Sequence, residues 1–415
     1  REKMQIKEKI IAGKMMRLET GRVARQSNGS VLVTLGETTV IATVNAAKEP
    51  REDIDFFPLQ VEYREKHYAG GKIPGGFFKR EARPAEHEIL TSRLTDRPIR
   101  PLFPKGFKNE TQVMITVLQS DGENMADVLA GVGASAALML SSIPWNGPIA
   151  SVRVSRIDGS FIVNPTRTEL EDSDIEMVVS GNYETVVMVE GEAECISESE
   201  MLDALKEAHK VIKEIIELQN ELVSICDVVK DNVNIEEHNE KIINAIEQKL
   251  NGKVEKIVNI SDKQERSNAK DDLTNSVLES MEEEFPDEEK SIKAFIDDRF
   301  KNAFREQILS NGVRSDGRST TDIREISIDT DMLSRTHGSA LFTRGETQAL
   351  VVTTLGSKSD EMIIDSMDED YKKSYYLHYN FPPYCVGEVG RIGFTGRREI
   401  GHGNLAQRAI KPVLP

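Results

Sequence analysis

The chain has 415 residues, a formal net charge of −17 at pH 7 and 38% hydrophobic residues. This length predicts two to three domains with substantial cores. Three widely spaced cysteines fit neither a disulfide framework nor a metal knuckle, which favours a reducing compartment. Because no apolar run approaches a membrane span and the N-terminus lacks a signal-peptide profile, we expect a soluble, cytoplasmic protein without membrane contact.

Charge is distributed unevenly along the chain. Residues 77–108 contain eight Lys and Arg against four Asp and Glu, whereas residues 201–310 contain 16 against 26. Distribution decides polyanion binding more than the net charge does. The sequence therefore predicts an acidic body with one local basic site.

The first strands are predicted from alternating apolar residues. Residues 30–44 alternate around Gly36-Glu37, which is typical of a β-hairpin, and residues 56–63 and 111–118 also read as strands. Residues 1–20 fit either a short helix or a strand. The glycine-rich loop at 69–76 contains a lysine but lacks the GxxxxGK[ST] order, so a nucleotide-binding P-loop is rejected.

Residues 75–104 combine two aromatic residues, Phe77 and Phe78, with a dense set of cations. The cations are Lys79, Arg80, Arg83, Arg93, Arg97 and Arg100. A proline at 84 predicts a helix over 85–95, which the Arg-Pro pairs at 97–98 and 100–101 are expected to end. Rings that stack on bases and guanidinium groups that bind phosphate favour a single-stranded nucleic acid. The alternative is a solvated helix with ion pairs to Glu81, Glu86 and Glu88.

The region after residue 120 predicts a mixed α+β unit followed by helices. Small residues crowd a predicted helix at 125–140, which indicates close packing on a sheet, with phosphate binding at its N-terminus as the less favoured alternative. Strands are predicted at 149–157, 160–163, 175–180 and 186–190. Helical spacing then continues from 201 to about 309, interrupted at 282–289 by an acidic run expected to be a solvated loop or helix start.

Two groups of landmarks occur twice. The pairs Gly76-Phe77 and Arg80-Glu81 parallel Gly393-Phe394 and Arg398-Glu399, and residues 405–408 parallel 90–93. Residues 28–38 likewise parallel 337–347, and the offset shifts only from 309 to 318. The chain is therefore predicted to be a duplication with a shortened second copy.

The second copy carries long, ordered motifs. It opens with Arg314-Ser315-Asp316-Gly317-Arg318 and includes Phe381-Pro382-Pro383-Tyr384 and Gly396-Arg397-Arg398-Glu399-Ile400-Gly401-His402-Gly403. With the duplication, these motifs resemble the bacterial polynucleotide phosphorylases of the ribonuclease PH superfamily, over essentially the whole chain. The resemblance implies an α+β fold with two ribonuclease PH-like cores, the second truncated, joined by an all-helical domain. The implied limits are 1–230, 231–310 and 311–415.

The resemblance also implies a function. Members degrade RNA processively from the 3′ end by phosphorolysis, releasing nucleoside diphosphates, and can run the reaction in reverse as a polymerisation. Inorganic phosphate is the co-substrate and magnesium the metal. The family forms a homotrimeric ring around single-stranded RNA, carries further RNA-binding modules, and acts in mRNA turnover, with degradation-complex partners possible.

By this resemblance, Phe77, Phe78, Lys79 and Arg80 match the family's channel-lining loop, with lysine where the family has arginine. The predicted RNA-binding set is completed by Arg83, Arg93, Arg97 and Arg100. The predicted catalytic residues are Arg397, Arg398 and His402, which would hold phosphate and the terminal nucleotide.

The family's phosphate-binding serines and magnesium-binding aspartates are expected beyond residue 415, so no metal ligand is predicted here. The carboxylate pairs at 297/298, 329/331 and 368/370 are interpreted as solvated turns and ion pairs. We therefore expect a fragment that is inactive alone. The alternatives are a non-catalytic RNA-binding or ring-assembly protein and a hydrolytic exoribonuclease.

Overall fold

The computed structural model describes residues 4–51, 54, 56–233 and 240–414. The chain divides into two compact units, one comprising Arg1–Ile235 with Lys358–Pro415 and the other Glu236–Ser357. The predicted domain limits at 230 and 310 are not tested by this division and stay a prediction.

The first unit begins with a six-stranded sheet in which apolar residues alternate inward. The strands are β1 Gln5–Ile11, β2 Lys14–Thr20, β3 Gly29–Leu35, β4 Thr38–Ala46, β5 Leu59–Glu65 and β6 Thr111–Gln119. Their order is β1-β2-β3-β4-β6-β5, and only the β5–β6 pair is parallel. Gly36, at φ +60°, makes the tight turn between β3 and β4, which confirms the predicted hairpin.

The same unit continues with a four-stranded sheet and four helices. The strands are β7 Ala150–Ile157, β8 Ser160–Val163, β9 Ile175–Gly181 and β10 Val186–Ala193, in the order β10-β9-β7-β8. The helices are α1 Glu86–Ile99, α2 Ala126–Met139, α3 Arg167–Leu170 and α4 Glu198–Val223. The strand, helix, strand order is that predicted from the sequence.

Close packing explains the small residues of α2. A Cβ atom on Gly131 would lie 2.2 Å from the hydroxyl of Ser151 in β7, and one on Gly133 would lie 2.9 Å from Ala42 in β4. Helix α2 therefore contacts both sheets at distances that a larger side chain would prevent. The packing interpretation of this segment is confirmed.

The expected end of α1 is wrong. The helix begins at Glu86 and runs through Pro98 to Ile99, several residues past the predicted end at 95. Pro98 and Ile99 are both buried, so packing outweighs the one backbone hydrogen bond that proline cannot donate. Arg93 and Arg97 both lie on this helix, one turn apart.

The second unit contains a helical cluster and a small sheet. The helices are α5 Glu240–Leu250, α6 Lys253–Val258, α7 Lys263–Met281 and α8 Glu289–Asn311, followed by β11 Ile326–Thr330, β12 Gly338–Arg344 and β13 Thr347–Thr353. Ile246, Met281 and Ile296 form part of a fully buried helical core. The acidic run at 282–289 is a loop that leads into α8, as predicted.

Residues from 358 onward belong to the first unit. They form β14 Met362–Asp365, β15 Asp370–Lys373 and α9 Arg397–Ile410. Among the described helices of the chain, none is long and apolar enough to cross a membrane.

Candidate nucleic-acid interface

Helices α1 and α9 are the same structural element occurring twice. Each has 14 residues, and each has a glutamate three residues after its N-cap residue. One carboxylate oxygen of Glu88 accepts the backbone N–H of Ala85 at 2.6 Å, and Glu399 accepts that of Gly396 at 2.7 Å. In both helices the glutamate thus satisfies the backbone N–H of the N-cap residue, which is one half of a capping box.

The second oxygen of each glutamate binds the preceding extended segment. Glu88 accepts the backbone N–H of Glu65 at 2.7 Å, and Glu399 accepts that of Phe381 at 2.8 Å. A 3-10 helix follows each segment and ends at a glycine with φ 71°, Gly71 or Gly387. The duplication predicted from the sequence therefore extends to the hydrogen bonds around both helices.

These caps fix the correspondence between the copies. Glu399 matches Glu88, so Arg408 of α9 matches Arg97 of α1. The sequence comparison that placed residues 405–408 opposite 90–93 is wrong, because the first copy has a longer loop before its helix. In the correct register, Arg398 corresponds to His87, not to Arg80.

Helix α9 packs against α1 where its sequence is richest in glycine. A Cβ atom on Gly401 would lie 2.4 Å from the Nε atom of Arg93, and one on Gly403 would lie 3.2 Å from the carbonyl oxygen of Leu377. Gly401 thus allows a close approach to the guanidinium of a predicted RNA-binding arginine, and Gly403 allows a close approach to the backbone before α9.

The loop before α1 presents its aromatic rings to solvent. Phe77 is 93% and Phe78 87% exposed, and their rings meet edge to face with centroids 5.3 Å apart. Lys79 adopts φ 49°, a left-handed conformation that is uncommon for lysine and makes a tight turn here. Arg80 is also exposed. Exposed large rings next to cations are unusual on a surface without a ligand.

The aromatic turn of the second copy lies beside the segment that links this loop to α1. The guanidinium of Arg83 stacks over the ring of Phe394, 4.0 Å from its centroid. This cation–π contact joins a residue of the first copy to one of the second. The two turns that the sequence singled out are therefore brought together within the first unit.

Two of the predicted RNA-binding arginines are engaged in ion pairs. Arg97 binds Glu190, with 2.5 Å between Nη1 and Oε2. Arg100 binds both carboxylate oxygens of Asp96 and donates to the carbonyl of Leu59 at 3.0 Å. The partners are not the glutamates that the sequence suggested. The RNA role of both arginines stays a prediction.

The predicted catalytic residues separate into a bound arginine and an accessible pair. Arg397 donates to the carbonyl of Val61 at 2.8 Å and pairs with Glu62. Arg398 is exposed and has no hydrogen bond or ion pair to any residue that the structure describes. His402 is half-buried, and its ring is nearly perpendicular to that of Tyr379, with the ring centroids 5.3 Å apart. Arg398 is thus the cation best placed to receive an anion.

The turn just before α2, next to the alternative phosphate site, already holds a carboxylate on its backbone amides. Burial alone would raise the pKa of Asp121, but hydrogen bonds from the backbone and side chain of Asn124 and from the backbone of Glu123 lower it to about 2. A permanent negative charge on these amides excludes a second anion.

A polar network in the first copy gave no signal in the sequence. Glu65 accepts the hydroxyl of buried Tyr63 at 2.8 Å and lies 2.8 Å from Nε2 of His87. Burial opposes protonation of His87, but the hydrogen bond and charge of Glu65 outweigh it and raise the pKa of the imidazole. Burial raises the pKa of the Tyr63 phenol, reinforced by the charge of Glu65. His87, the residue of the first copy that corresponds to Arg398, therefore connects α1 to Glu65 of β5.

Two of the three carboxylate pairs contain ion-paired residues, as interpreted, while Asp329 and Asp331 are exposed and form no ion pair with any residue that the structure describes. Asp368 binds Arg167 at 2.7 Å, and Asp297 binds Lys270 at 2.6 Å. Within the described ranges, no group of three or more His, Cys, Asp or Glu could hold a metal ion. The residues described here do not fit a magnesium site, and no catalytic step is assigned to one.

Three family sequence models match the chain. The 3′ exoribonuclease family, domain 1, matches residues 12–144 and 322–415, and domain 2 of that family matches 147–211. A model described as polyribonucleotide nucleotidyltransferase, RNA binding domain, matches 241–319. The domain 1 model thus matches two separate ranges, one containing α1 and the other containing α9, which agrees with the duplication.

Curated relatives are similar along nearly the whole chain. A polyribonucleotide nucleotidyltransferase of Pelobacter propionicus is 50% identical over 97% of this chain and 57% of its own length. Enzymes with the same name from Pelagibacter ubique and Brachyspira hyodysenteriae are 47% and 45% identical, over 100% and 98% of this chain. The chain spans 60% and 57% of their respective lengths.

The fold and these matches define a ribonuclease PH-type protein, with an α+β core, a helical region and the start of a second core. The chain belongs to the 3′ exoribonuclease family and is similar to polyribonucleotide nucleotidyltransferases along nearly its whole length.

Proposed function

We propose that this chain is part of a phosphorolytic 3′-to-5′ exoribonuclease that releases nucleoside diphosphates from RNA and can extend RNA in the reverse reaction. The observation that carries the proposal is the stacking of Arg83, which follows the Phe77–Phe78 turn, on Phe394 of the turn before α9. The names of the relatives support the same reaction.

Phosphorolysis of RNA needs no nucleophile from the protein, because inorganic phosphate is the nucleophile. The protein has to supply cations at fixed positions. An oxygen of inorganic phosphate attacks the phosphorus of the last internucleotide linkage. The bond from that phosphorus to the 3′ oxygen of the preceding ribose breaks, and this oxygen takes a proton. Charge builds on the phosphoryl oxygens, where preorganised donors stabilise the transition state most.

The accessible side chains suggest a division of roles. Arg398 would bind phosphate, since its guanidinium is exposed and unpaired within the described chain. His402 would donate to a phosphate or ribose oxygen. Arg397 would hold the start of α9 on β5 through Val61 and Glu62. Phe77 and Phe78 would stack on bases upstream of the 3′ end, with Lys79, Arg80, Arg83 and Arg93 along the phosphates.

The whole protein is proposed to act as a homotrimer in the cytoplasm, to turn over mRNA and to join other RNA-degrading proteins. Magnesium would be required for the reaction, with no ligand assigned among the residues described here. Analytical ultracentrifugation of the full-length gene product tests the trimer independently of activity.

The experiment that tests the proposed reaction measures nucleoside diphosphate release from poly(A), with phosphate and magnesium, by the full-length gene product and by the 415-residue chain. We expect phosphate-dependent release by the full-length protein and none by the 415-residue chain. Release of monophosphates without phosphate would identify a hydrolytic enzyme. Failure of both proteins to release nucleotides while both bind RNA would support a non-catalytic RNA-binding or ring-assembly protein.

A further inference from the structure

One carboxylate joins the corresponding arginines of the two copies. The Oε2 atom of Glu190 lies 2.5 Å from Arg97, and its Oε1 atom lies 2.8 Å from Arg408. Arg97 and Arg408 occupy the same position in α1 and α9, as the caps establish. Glu190 is therefore shared between two residues that the duplication made equivalent.

The charges leave Arg97 able to bind a further anion. Two guanidinium groups face one carboxylate, so one positive charge remains uncompensated by Glu190. Arg97 uses one terminal nitrogen for Glu190, and its side chain remains 45% exposed. An arginine has five N–H donors, so one ion pair fixes its plane while leaving donors for a phosphate.

The surroundings keep this carboxylate in place. The side chain of Glu190 is only 14% exposed. A groove of about 400 Å³ lies beside the bridge, with Met177, Val189, Met201 and Leu405 among its lining residues. The groove leaves Arg97 reachable from solvent, while the burial of Glu190 limits the positions that its carboxylate can take.

We infer that Glu190 is a positioning residue for RNA binding: it orients Arg97 toward the RNA backbone and ties that orientation to the seating of α9 on α1. This inference rests on the proposed RNA function of Arg97. The carboxylate contacts no RNA, so its effect on affinity passes through the arginine.

The test compares Glu190→Gln with Glu192→Gln in the full-length protein. Glu192 lies two residues along β10 and pairs with Lys411 at 3.4 Å rather than with Arg97 or Arg408. Both substitutions remove one negative charge near the same surface. Charge removal alone should strengthen RNA binding in both, whereas loss of positioning should weaken it in Glu190→Gln alone.

Binding of a labelled oligoadenylate is measured in phosphate-free buffer across a range of salt concentrations. We expect Glu190→Gln to raise Kd about fivefold and to reduce the salt slope by about 0.7, the loss of one single-strand phosphate contact. Glu192→Gln should bind as tightly as the wild type or more tightly. A purely structural role for Glu190 would lower the melting temperature without changing the salt slope of the folded protein.

Arg97→Ala separates failure of the inference from failure of the proposed function. It should weaken binding like Glu190→Gln, and the double variant should be no weaker than Arg97→Ala. Equal binding by wild type and Arg97→Ala would refute the RNA role of Arg97 and the inference with it. Weakening by Arg97→Ala but not by Glu190→Gln would refute the inference alone.

Discussion

Helices α1 and α9 have the same length and the same glutamate cap, yet the charges of their first two residues differ. Helix α1 opens with Glu86 and His87, and α9 opens with Arg397 and Arg398. The two copies share the capping glutamate and differ at the positions for which a phosphate-binding role is proposed in α9. Geometry alone therefore does not make a phosphate site in this fold.

The comparison also shows how a position changes its role. His87 binds Glu65 of the neighbouring strand, while the corresponding Arg398 is exposed and unpaired within the described chain. The first copy uses the position for internal cohesion, and the second leaves it open to solvent. The proposed chemistry is assigned to the second copy on this basis.

The largest effect is expected from Arg398→Ala in the full-length protein. Loss of a cation at the transition state should lower kcat about 100-fold, within the range for removing one stabilising donor. Capture of long RNA should change little, because Phe77 and Phe78 remain. Release of nucleoside diphosphates and RNA affinity are measured side by side. His87→Ala is the matched control in α1, and an equal loss of turnover there would contradict the division between the copies.

Replacing both Phe77 and Phe78 by alanine should weaken capture of long single strands at least tenfold. Each stacked base contributes about 1–3 kcal/mol, and 1.4 kcal/mol is a factor of ten. Phe56→Ala is the control, since that ring is also exposed, at 63%. Filter binding gives the affinities. A defect in turnover of saturating RNA equal to that of Arg398→Ala would place both turns in one functional site.

The two capping glutamates should differ in stability cost. Glu88 is 7% exposed, so Glu88→Ala leaves two shielded amides unpaired, at about 2 kcal/mol of local stability. Glu399 is more exposed, and water can replace it after Glu399→Ala. Hydrogen exchange of the first turn of each helix measures both costs. An equal loss of hydrogen-exchange protection in Glu88→Ala and Glu399→Ala would show that the burial of Glu88 does not make its cap more stabilising.

The smallest effect is a pH dependence of the first copy. The folded pKa of His87 is raised above 6.5, so its stabilisation is complete below that pH and is lost as the pH rises through the folded pKa. Glu65, Glu88 and Asp368 are the carboxylates that favour the charged imidazole. The melting temperature should therefore decrease as the pH rises from 6.5 through the folded pKa of His87. His87→Gln should flatten the profile, and an unchanged profile would show that another group titrates.

Sequence patterns predicted most of the fold because its strands alternate regularly and its core helices repeat apolar residues at helical spacing. The end of α1 could not be predicted, since a proline favours termination and only the burial of Pro98 and Ile99 reverses that preference. The small residues of α2 predicted close packing correctly, because few other environments accommodate so many of them.

The candidate site was predictable in composition but not in pairing. Aromatic and basic residues are recognisable along the chain, whereas Glu190 and Glu65 act through contacts distant in sequence. The register of the duplication was also misread, because the loop lengths differ and the capping hydrogen bonds become visible only in three dimensions.

The central claim is that both turns serve one RNA path, with the second copy nearest the reacting end. Photo-cross-linking of RNA carrying a single 4-thiouridine, followed by mass spectrometry, tests it directly in the full-length protein. A 3′-terminal label should attach to the segment around Arg398, and an internal label to the Phe77–Phe78 turn. Attachment of the 3′-terminal label to the Phe77–Phe78 turn alone, or of neither label to these segments, would contradict the account.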